Sequence, residues 1–422
     1  MISLKKLRNS PEEYGAKIRS KGEDIDITYI LTLDEKVRSL KYQANEIRAE
    51  RNRASDAIGL AKQNNEEVSE AIEKTKQLVD SLNEIENELD DVEKELIELM
   101  CSIPNLPHKS VPIGENTAEN KIIREWGDKP QYPYSIKNHM ELGETLNLFD
   151  FKRGSKISGS GFPLYTDKGA QLERSLINAM IMYHADKFGF MEIFPPVLMK
   201  KESMFTTGQL PKFQDDMYHT EIDNLYLAPT AEVPLTNMHR DEILKENDLP
   251  LKYVAYTPCF RREAGSYGKD TRGLLRVHQF NKVELVKFTN PESSYDELES
   301  LTLQAESLLQ ILGLHYRVVL LCTGDLSFSA AKCYDLEVWS PGEKKWLEVS
   351  SCSNFENFQS RRGNIRYRDI SKNSVDFVHT LNASGLATPR LMVALIETYQ
   401  TSYGTIEFPK SIADFIGIEE IR

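Results

Sequence analysis

Phe260-Arg261-Arg262-Glu263, and further along Arg276-Val277-His278-Gln279-Phe280-Asn281-Lys282-Val283-Glu284, form a stretch that reads as one strand, a loop and a returning strand. Val- and Tyr-rich runs adjoin both pieces, Leu251 to Tyr256 before the first and Val283 to Phe288 at the end of the second. Near the C-terminus stands Gly385-Leu386-Ala387-Thr388-Pro389-Arg390. Arg261, Arg276 and Arg390 carry planar guanidinium forks that suit phosphate and carboxylate. With the carboxylates and the Phe280 ring they supply the parts needed to hold ATP beside a small amino acid, and point to amino-acid activation.

Working outward, similar short runs recur at His315 to Leu321, Tyr334 to Trp339 and Trp346 to Ser350, each bounded by turn residues. From Gly169 to Lys187 the spacing of Leu172, Leu176, Ala179, Met180 and Tyr183 predicts an amphipathic helix, leading through Gly189 to a strand at Phe194-Pro195-Pro196. The expected body is a mainly antiparallel sheet with helices packed on it, an α+β fold. No alternating strand and helix series with a Gly-rich loop is present, so Rossmann and P-loop readings lose support and nucleotide binding must rely on side chains.

The N-terminal part is different. Apolar residues repeat every seven positions, Ile30, Val37, Ala44 and Ile58 in one core set and Leu33, Leu40, Ile47, Ala54 and Ala61 in the other, with Arg51 breaking the first. A second series runs Val68, Leu82, Leu89, Leu96 and Ala71, Leu78, Ile85, Val92, Leu99, with Thr75 its polar core member. Two helices of matched length joined around Asn64-Asn65 predict an antiparallel coiled-coil hairpin over about 27–100, roughly 50 Å long at 1.5 Å per residue. Periodicity alone suits a dimerisation rod or spacer equally well. Charge favours RNA: Lys41, Arg48 and Lys62 follow the second core position, and Arg51 and Arg53 lie beside them, whereas Glu66 to Met100 holds thirteen acidic residues against three lysines. A sugar-phosphate backbone would meet cations on the first helix and repulsion on the second. Ser102 to Pro112 has three prolines and ends the pattern, so the domains are expected at 1–103 and 104–422.

Over the 422 residues, 40% are hydrophobic and 28% charged, enough for two domains with a substantial core. The net charge of -13 comes mostly from the second hairpin helix and says little about other surfaces. No apolar run approaches the ~20 residues of a membrane helix, and the first residues lack a signal-peptide core, so a cytoplasmic location without a membrane partner is expected. The five cysteines, at 101, 259, 322, 333 and 352, form no CxxC pair, which predicts reduced structural thiols and no zinc.

Nearly the whole chain resembles the bacterial-type seryl-tRNA synthetases of class II. Gly189 to Pro196 resembles the first class II motif, at the dimer interface, Phe260 to Glu284 the second and Gly385 to Arg390 the third. Pro104-Asn105-Leu106-Pro107-His108, Thr230-Ala231-Glu232, Glu348-Val349-Ser350-Ser351-Cys352-Ser353-Asn354 and Thr380-Leu381-Asn382-Ala383-Ser384 are more family-specific. The resemblance implies a homodimer that activates L-serine with ATP to seryl-adenylate and transfers serine to tRNA-Ser, with tRNA-Sec a further possible acceptor. It also implies that the hairpin grips the long variable arm of that tRNA, and no DNA partner is expected.

The same resemblance implies the site. Arg261 would bridge the serine carboxylate and the α-phosphate, Glu263 take the adenine amino group and Phe280 the adenine face, although a phenylalanine at strand spacing is equally a core residue. Arg390 would reach the γ-phosphate, and Arg276 the phosphates or the tRNA acceptor end. Arg262, Val349 and Ser350 complete the ATP set, while Glu348 and Ser351 would hold Mg²⁺ as hard oxygen ligands. Around serine stand Thr230, Ala231, Glu232, Glu284, Asn382 and Ser384. A pocket that hydrogen-bonds a hydroxyl rejects analogues lacking it by ~10⁴ to 10⁵, so alanine and glycine should fail without editing. The glycine-rich segment Ala264 to Gly273 is either a flexible hairpin loop or one that orders on the acceptor stem, and His278 reads as a structural histidine. One departure stands out: Gly159-Ser160-Gly161-Phe162 replaces the usual Gly-Ser-Arg-Phe of the family. Two alternatives remain. A paralogue loading a carrier protein would lack the long arm and use zinc, and a non-catalytic RNA-binding protein would have no need of the three arginines.

Overall fold

The structure is a computed structural model and describes residues 1–264 and 272–422. Its contacts divide into two compact units, one of residues 2–19 and 23–104, the other chiefly of 105–422.

In the first unit helices α1 (Ile27–Gln63) and α2 (Ser69–Ser102) form an antiparallel hairpin, turned at Asn65, whose φ of 56° is left-handed. Asp26 caps α1 by accepting the Tyr29 amide at 2.9 Å. Ile30, Leu33, Val37 and Leu40 are buried against Leu82, Leu89, Val92 and Leu96. Towards the turn, from Ile47 to Leu78, none of the core positions is fully buried. The reason is legible: Ala54, Ala61, Arg51 and Thr75 offer little apolar area to the seam. Arg8, from the short helix Leu4–Asn9, grips the buried Asp34 of α1 with two bonds of 2.7 and 2.8 Å.

The basic stripe differs from its expected reading. Lys41 pairs with Glu93 at 2.5 Å, Arg48 with Glu86 at 2.6 Å and Lys36 with Glu88 at 2.7 Å, so three carboxylates of α2 answer cations of α1 across the seam. Arg51 donates to Asn52 at 3.1 Å, and no ion pair involves Arg53 or Lys62 among the described residues.

The second unit is built on an eight-stranded sheet. Its strands are β1 (Lys121–Trp126), β2 (Met191–Ile193), β3 (Leu251–Phe260), β4 (Gln279–Thr289), β5 (Tyr316–Leu320), β6 (Lys332–Ser340), β7 (Lys345–Asn354) and β8 (His379–Ala387). They lie in the order β1-β5-β6-β7-β8-β4-β3-β2, antiparallel throughout except for β2, which runs parallel to β3 at the edge. Helices α3 (Asp167–Phe188), α4 (Ser294–Ile311) and α5 (Thr388–Thr398) bring Leu176, Met180, Leu301, Leu308, Leu391 and Leu395 onto one sheet face. Val283 and Leu285 of β4 point into that core, and by the two-residue period Phe280, Lys282 and Glu284 point to the opposite face. Antiparallel pairing sets Glu284 beside Ser384 of β8 and Ala255 of β3.

One expectation needs correction. The strand expected at Phe194-Pro195-Pro196 ends at Ile193, because proline has no amide to give to a ladder. The small polar residues of Thr380 to Ser384 belong to β8, in the interior of the sheet, although asparagine, serine and glycine are poor strand formers by themselves.

Candidate active site

A cleft of about 690 Å³ opens on the sheet face opposite the helical core. Its wall includes Thr230, Glu232, Arg261, Glu263, Arg276, Phe280, Glu348, Val349, Ser350, Ser351, Asn382, Ser384 and Arg390, so residues more than 150 positions apart converge. Three expected residues stand apart from that wall. Ala231 is buried at the start of the short helix Glu232–Asn237, Glu284 lies fully buried beneath the wall, and Arg262 is exposed with its amide bonded to the Asp216 carbonyl at 3.1 Å.

One end of the cleft is cationic. The Arg261 amide donates to the His278 carbonyl at 2.9 Å, which extends the β3/β4 pairing, and its guanidinium lies 5.2 Å from the centre of the Phe280 ring, where cation and π face attract. Arg276 pairs with Glu263 at 3.3 Å, and Glu263 sits at a left-handed φ of 52°, a backbone state that a glutamate adopts only when its surroundings hold it there. Arg390, in the first turn of α5, donates through Nε to the Leu275 carbonyl at 3.0 Å and through Nη1 to the Glu348 carbonyl at 3.2 Å.

A β-bulge explains how Glu348 and Ser351 share a face. Residues three apart normally point to opposite sides of a strand. Here the register against β6 shifts between Glu348, opposite Glu337, and Ser350, opposite Leu336, so one extra residue restores the alignment. Ser351 then faces Asp335, whose carboxyl is raised well above its ordinary value by burial and by the charge of Glu348. The donors are all hard oxygens.

The other end of the cleft is acidic. Asn382 donates through Nδ2 to Glu232 at 3.1 Å and to Glu284 at 2.7 Å, Gln359 donates to Glu232 at 2.6 Å, and Lys282 pairs with Glu284 at 2.6 Å. The buried Oδ1 of Asn382 accepts no hydrogen bond among the described residues, an unsatisfied acceptor beside the two carboxylates. Burial, then the nearby Glu284 charge, pushes the Glu232 carboxyl up to about 7.

Two profiles of known families match the chain: "Seryl-tRNA synthetase N-terminal domain" over residues 1–107, and "tRNA synthetase class II core domain (G, H, P, S and T)" over 214–399. A curated serine–tRNA ligase of Caldicellulosiruptor saccharolyticus is 52% identical over 100% of both chains, and one of Geobacter sulfurreducens 48% identical over 99% of each. The chain belongs to the seryl-tRNA synthetase family. The crystal structure of a seryl-tRNA synthetase from Pyrococcus horikoshii complexed with ATP matches with a TM-score of 0.93 at 37% identity, covering 100% of this chain and 99% of that one. A Giardia lamblia prolyl-tRNA synthetase, at 18% identity over 65% of this chain and 54% of its own with a TM-score of 0.56, shares the fold alone. The sheet and its flanking helices are thus a class II synthetase fold.

For a seryl-tRNA synthetase the departure at Gly161 has a steric cause. Gly161 has φ +82°, and a Cβ placed there would come within 2.2 Å of the His278 ring. His278 is itself satisfied, 3.1 Å from the Tyr218 hydroxyl and from the Arg261 carbonyl, and stacked on Phe162. Gly161→Ala is therefore expected to lower the unfolding free energy by about 2 kcal/mol in urea titrations, through strain and overlap together.

Three participants escaped the sequence reading: Lys282, Gln359 and Asp335. Lys282 was accessible in principle, because it stands two residues before Glu284 and so on the same strand face. Gln359 reaches Glu232 across 127 positions, and no local pattern marks it. All five cysteines are free and buried, and burial raises the thiols of Cys259, Cys333 and Cys352. Of the segment Ala264 to Gly273, read as a flexible hairpin loop or one that orders on an acceptor stem, residues 265–271 lie outside the described residues.

Proposed function

We propose that the protein is a serine–tRNA ligase that uses ATP to form seryl-adenylate and passes the seryl group to tRNA-Ser. The observation that carries this reading is the polarity of one cleft, with guanidinium groups at one end and buried carboxylates at the other. Serine needs both, an anion partner for its ammonium group and cations for its carboxylate as it meets a polyphosphate. Serine-dependent exchange of pyrophosphate into ATP, followed by charging of tRNA-Ser, tests it. Exchange without charging would favour a carrier-loading paralogue, and no exchange would favour an RNA-binding protein.

Activation moves charge rather than protons, since a carboxylate attacks the α-phosphorus and pyrophosphate leaves, so positioning and neutralisation dominate. Arg261, at the cationic end of the cleft, addresses both reactants with one fork. Arg390 and Arg276 neutralise the outer phosphates, Glu263 takes the adenine amino group and Phe280 its face. Mg²⁺, when bound, would offset phosphate charge, and Glu348 and Ser351 fit it as hard oxygen ligands brought to one face by the bulge in β7. Thr230, Glu232, Asn382 and Ser384 surround serine, with Glu284 beneath them holding the side-chain amide of Asn382.

Glu232 must be ionised to neutralise an ammonium group, yet its carboxyl titrates at about 7 in the free protein. Below that value it holds a proton, so kcat/KM for serine is expected to fall roughly tenfold from pH 8 to pH 6, because kcat/KM reports the free enzyme. Glu232→Gln should lower kcat/KM and flatten that profile. An unchanged profile in the variant would assign the titration elsewhere.

The division of labour is 1–103 for tRNA and 104–422 for catalysis. Lys41, Arg48, Arg51, Arg53 and Lys62 are the arm cations offered to the phosphate backbone. The ion pairs of Lys41 and Arg48 are not an obstacle: their side chains are 55% and 46% exposed, and such pairs are worth only about 0–1 kcal/mol, so a phosphate can replace the glutamate. The exposed apolar side chains of Met182, Met191, Phe194 and Leu198 gather around edge strand β2, which supports a homodimer through this face. No helix among the described residues is long and apolar enough to cross a membrane, and a cytoplasmic location fits the proposed substrates.

A further inference from the structure

Behind the cleft wall lies a buried cluster that the chemistry above does not use. His139 and Glu397 are fully buried, and His139 Nδ1 lies 3.2 Å from Glu343 Oε1 and 3.4 Å from Glu397 Oε1. Neither approach has hydrogen-bond geometry. Glu397 is fixed in place: its Oε1 accepts the His139 amide at 2.8 Å, and its Oε2 accepts the Gly342 amide at 3.0 Å and the Ser340 hydroxyl. Burying two carboxylates and an imidazole is costly, and a fold keeps such a group where it holds something in position.

What it holds is the segment returning to β4. The Leu274 amide donates to His139 Nε2 at 3.4 Å, and a Cβ on Gly273, at φ +61°, would come within 2.1 Å of that nitrogen. The next residue, Leu275, gives its carbonyl to Arg390 Nε at 3.0 Å, and Arg276 follows, paired with Glu263. We propose that His139 is a positioning residue for adenylate formation, setting through Leu274 and Leu275 where Arg276 and Arg390 stand. The close spacing of the His139, Glu343 and Glu397 donor atoms would also suit a small divalent cation. An Nε2 that accepts the Leu274 amide, however, keeps the ring proton on Nδ1, where it faces the carboxylates and leaves no lone pair for a metal.

The inference rests on the serine-activation reading, and its test separates the two. His139→Asn leaves an amide near Nδ1 but nothing at Nε2, whereas His139→Gln can place a carbonyl oxygen near Nε2. In serine-dependent pyrophosphate exchange, His139→Asn is expected to raise KM for ATP and lower kcat, together by about 10- to 100-fold, with KM for serine within about twofold. His139→Gln should recover to within about fivefold of the wild type. Gly273→Ala, which pushes on the same nitrogen from the other side, should repeat the ATP-specific loss and decides the matter if His139→Asn does not fold. An active wild type beside unaltered variants, equal losses in KM for serine and ATP, or equal losses in the Asn and Gln variants would overturn the positioning role alone. A stoichiometric transition metal in the wild type that is missing from His139→Asn would replace it with a metal centre. Absence of exchange in the wild type would remove the activation reading itself, and this inference with it.

Discussion

Arg261→Ala is expected to reduce serine-dependent pyrophosphate exchange by about a thousandfold, roughly 4 kcal/mol of transition-state stabilisation, while affinity for tRNA-Ser stays within a few fold. The size follows from placement. Arg261 reaches the cleft from the end of β3, with its backbone locked to His278 and its guanidinium against Phe280, so the fork is preorganised. Negative charge gathers between the serine carboxylate and the α-phosphorus as they approach, where a fixed cation stabilises the transition state more than either separate reactant. Arg261→Lys should recover little, because an ammonium point charge cannot address two groups in one plane. A variant that keeps its exchange activity but loses RNA affinity would contradict the role assigned to Arg261.

Deletion of Leu40 to Ile85, with the cut ends joined by a short Gly/Ser turn, is expected to abolish charging of tRNA-Ser and leave pyrophosphate exchange within about threefold. All the described residues lining the cleft lie between Thr207 and Arg390, within the second unit, which carries the chemistry of activation. The remaining stubs keep Ile30, Leu33 and Val37 opposite Leu89, Val92 and Leu96, the well-buried half of the seam, so the base should stay folded. The deleted part holds Lys41, Arg48, Arg51, Arg53 and Lys62, and removing phosphate contacts lowers affinity steeply and flattens its salt dependence. Each phosphate contact is worth about one unit in the slope of log K against log salt, which a titration from low to moderate salt would read. If exchange falls as far as charging does, the proposed division of labour between arm and body is wrong.

The hairpin was readable residue by residue because a coiled coil is close to a one-dimensional object. Every core position from Ile30 to Leu99 except Ala71 is at least half-buried, as a seven-residue period demands. The strands at 251–256, 283–288, 334–339 and 346–350 were readable because β-branched and aromatic runs between turn residues carry their own signal. β8 was not, since Asn382, Ser384 and Gly385 are strand residues only because β7 and β4 flank them and satisfy their backbones. The ion pairs across the hairpin seam were also out of reach, because charge counted helix by helix does not say which side chains meet.

For the site, types of residue were legible and their arrangement was not. The sequence alone determined that three guanidinium groups, a row of carboxylates and a phenyl ring accompany an α+β body and a heptad arm, because local period and residue chemistry need no partner to be recognised. Tertiary structure alone decided that Glu348 and Ser351 share a face, that Gln359 and Asn382 reach Glu232, that Glu284 lies beneath the cleft wall, and that Gly161 must stay a glycine. Each of these depends on a bulge, a cross-strand register or a steric contact between distant segments, which arises only when the sheet closes and separated stretches come within bonding distance.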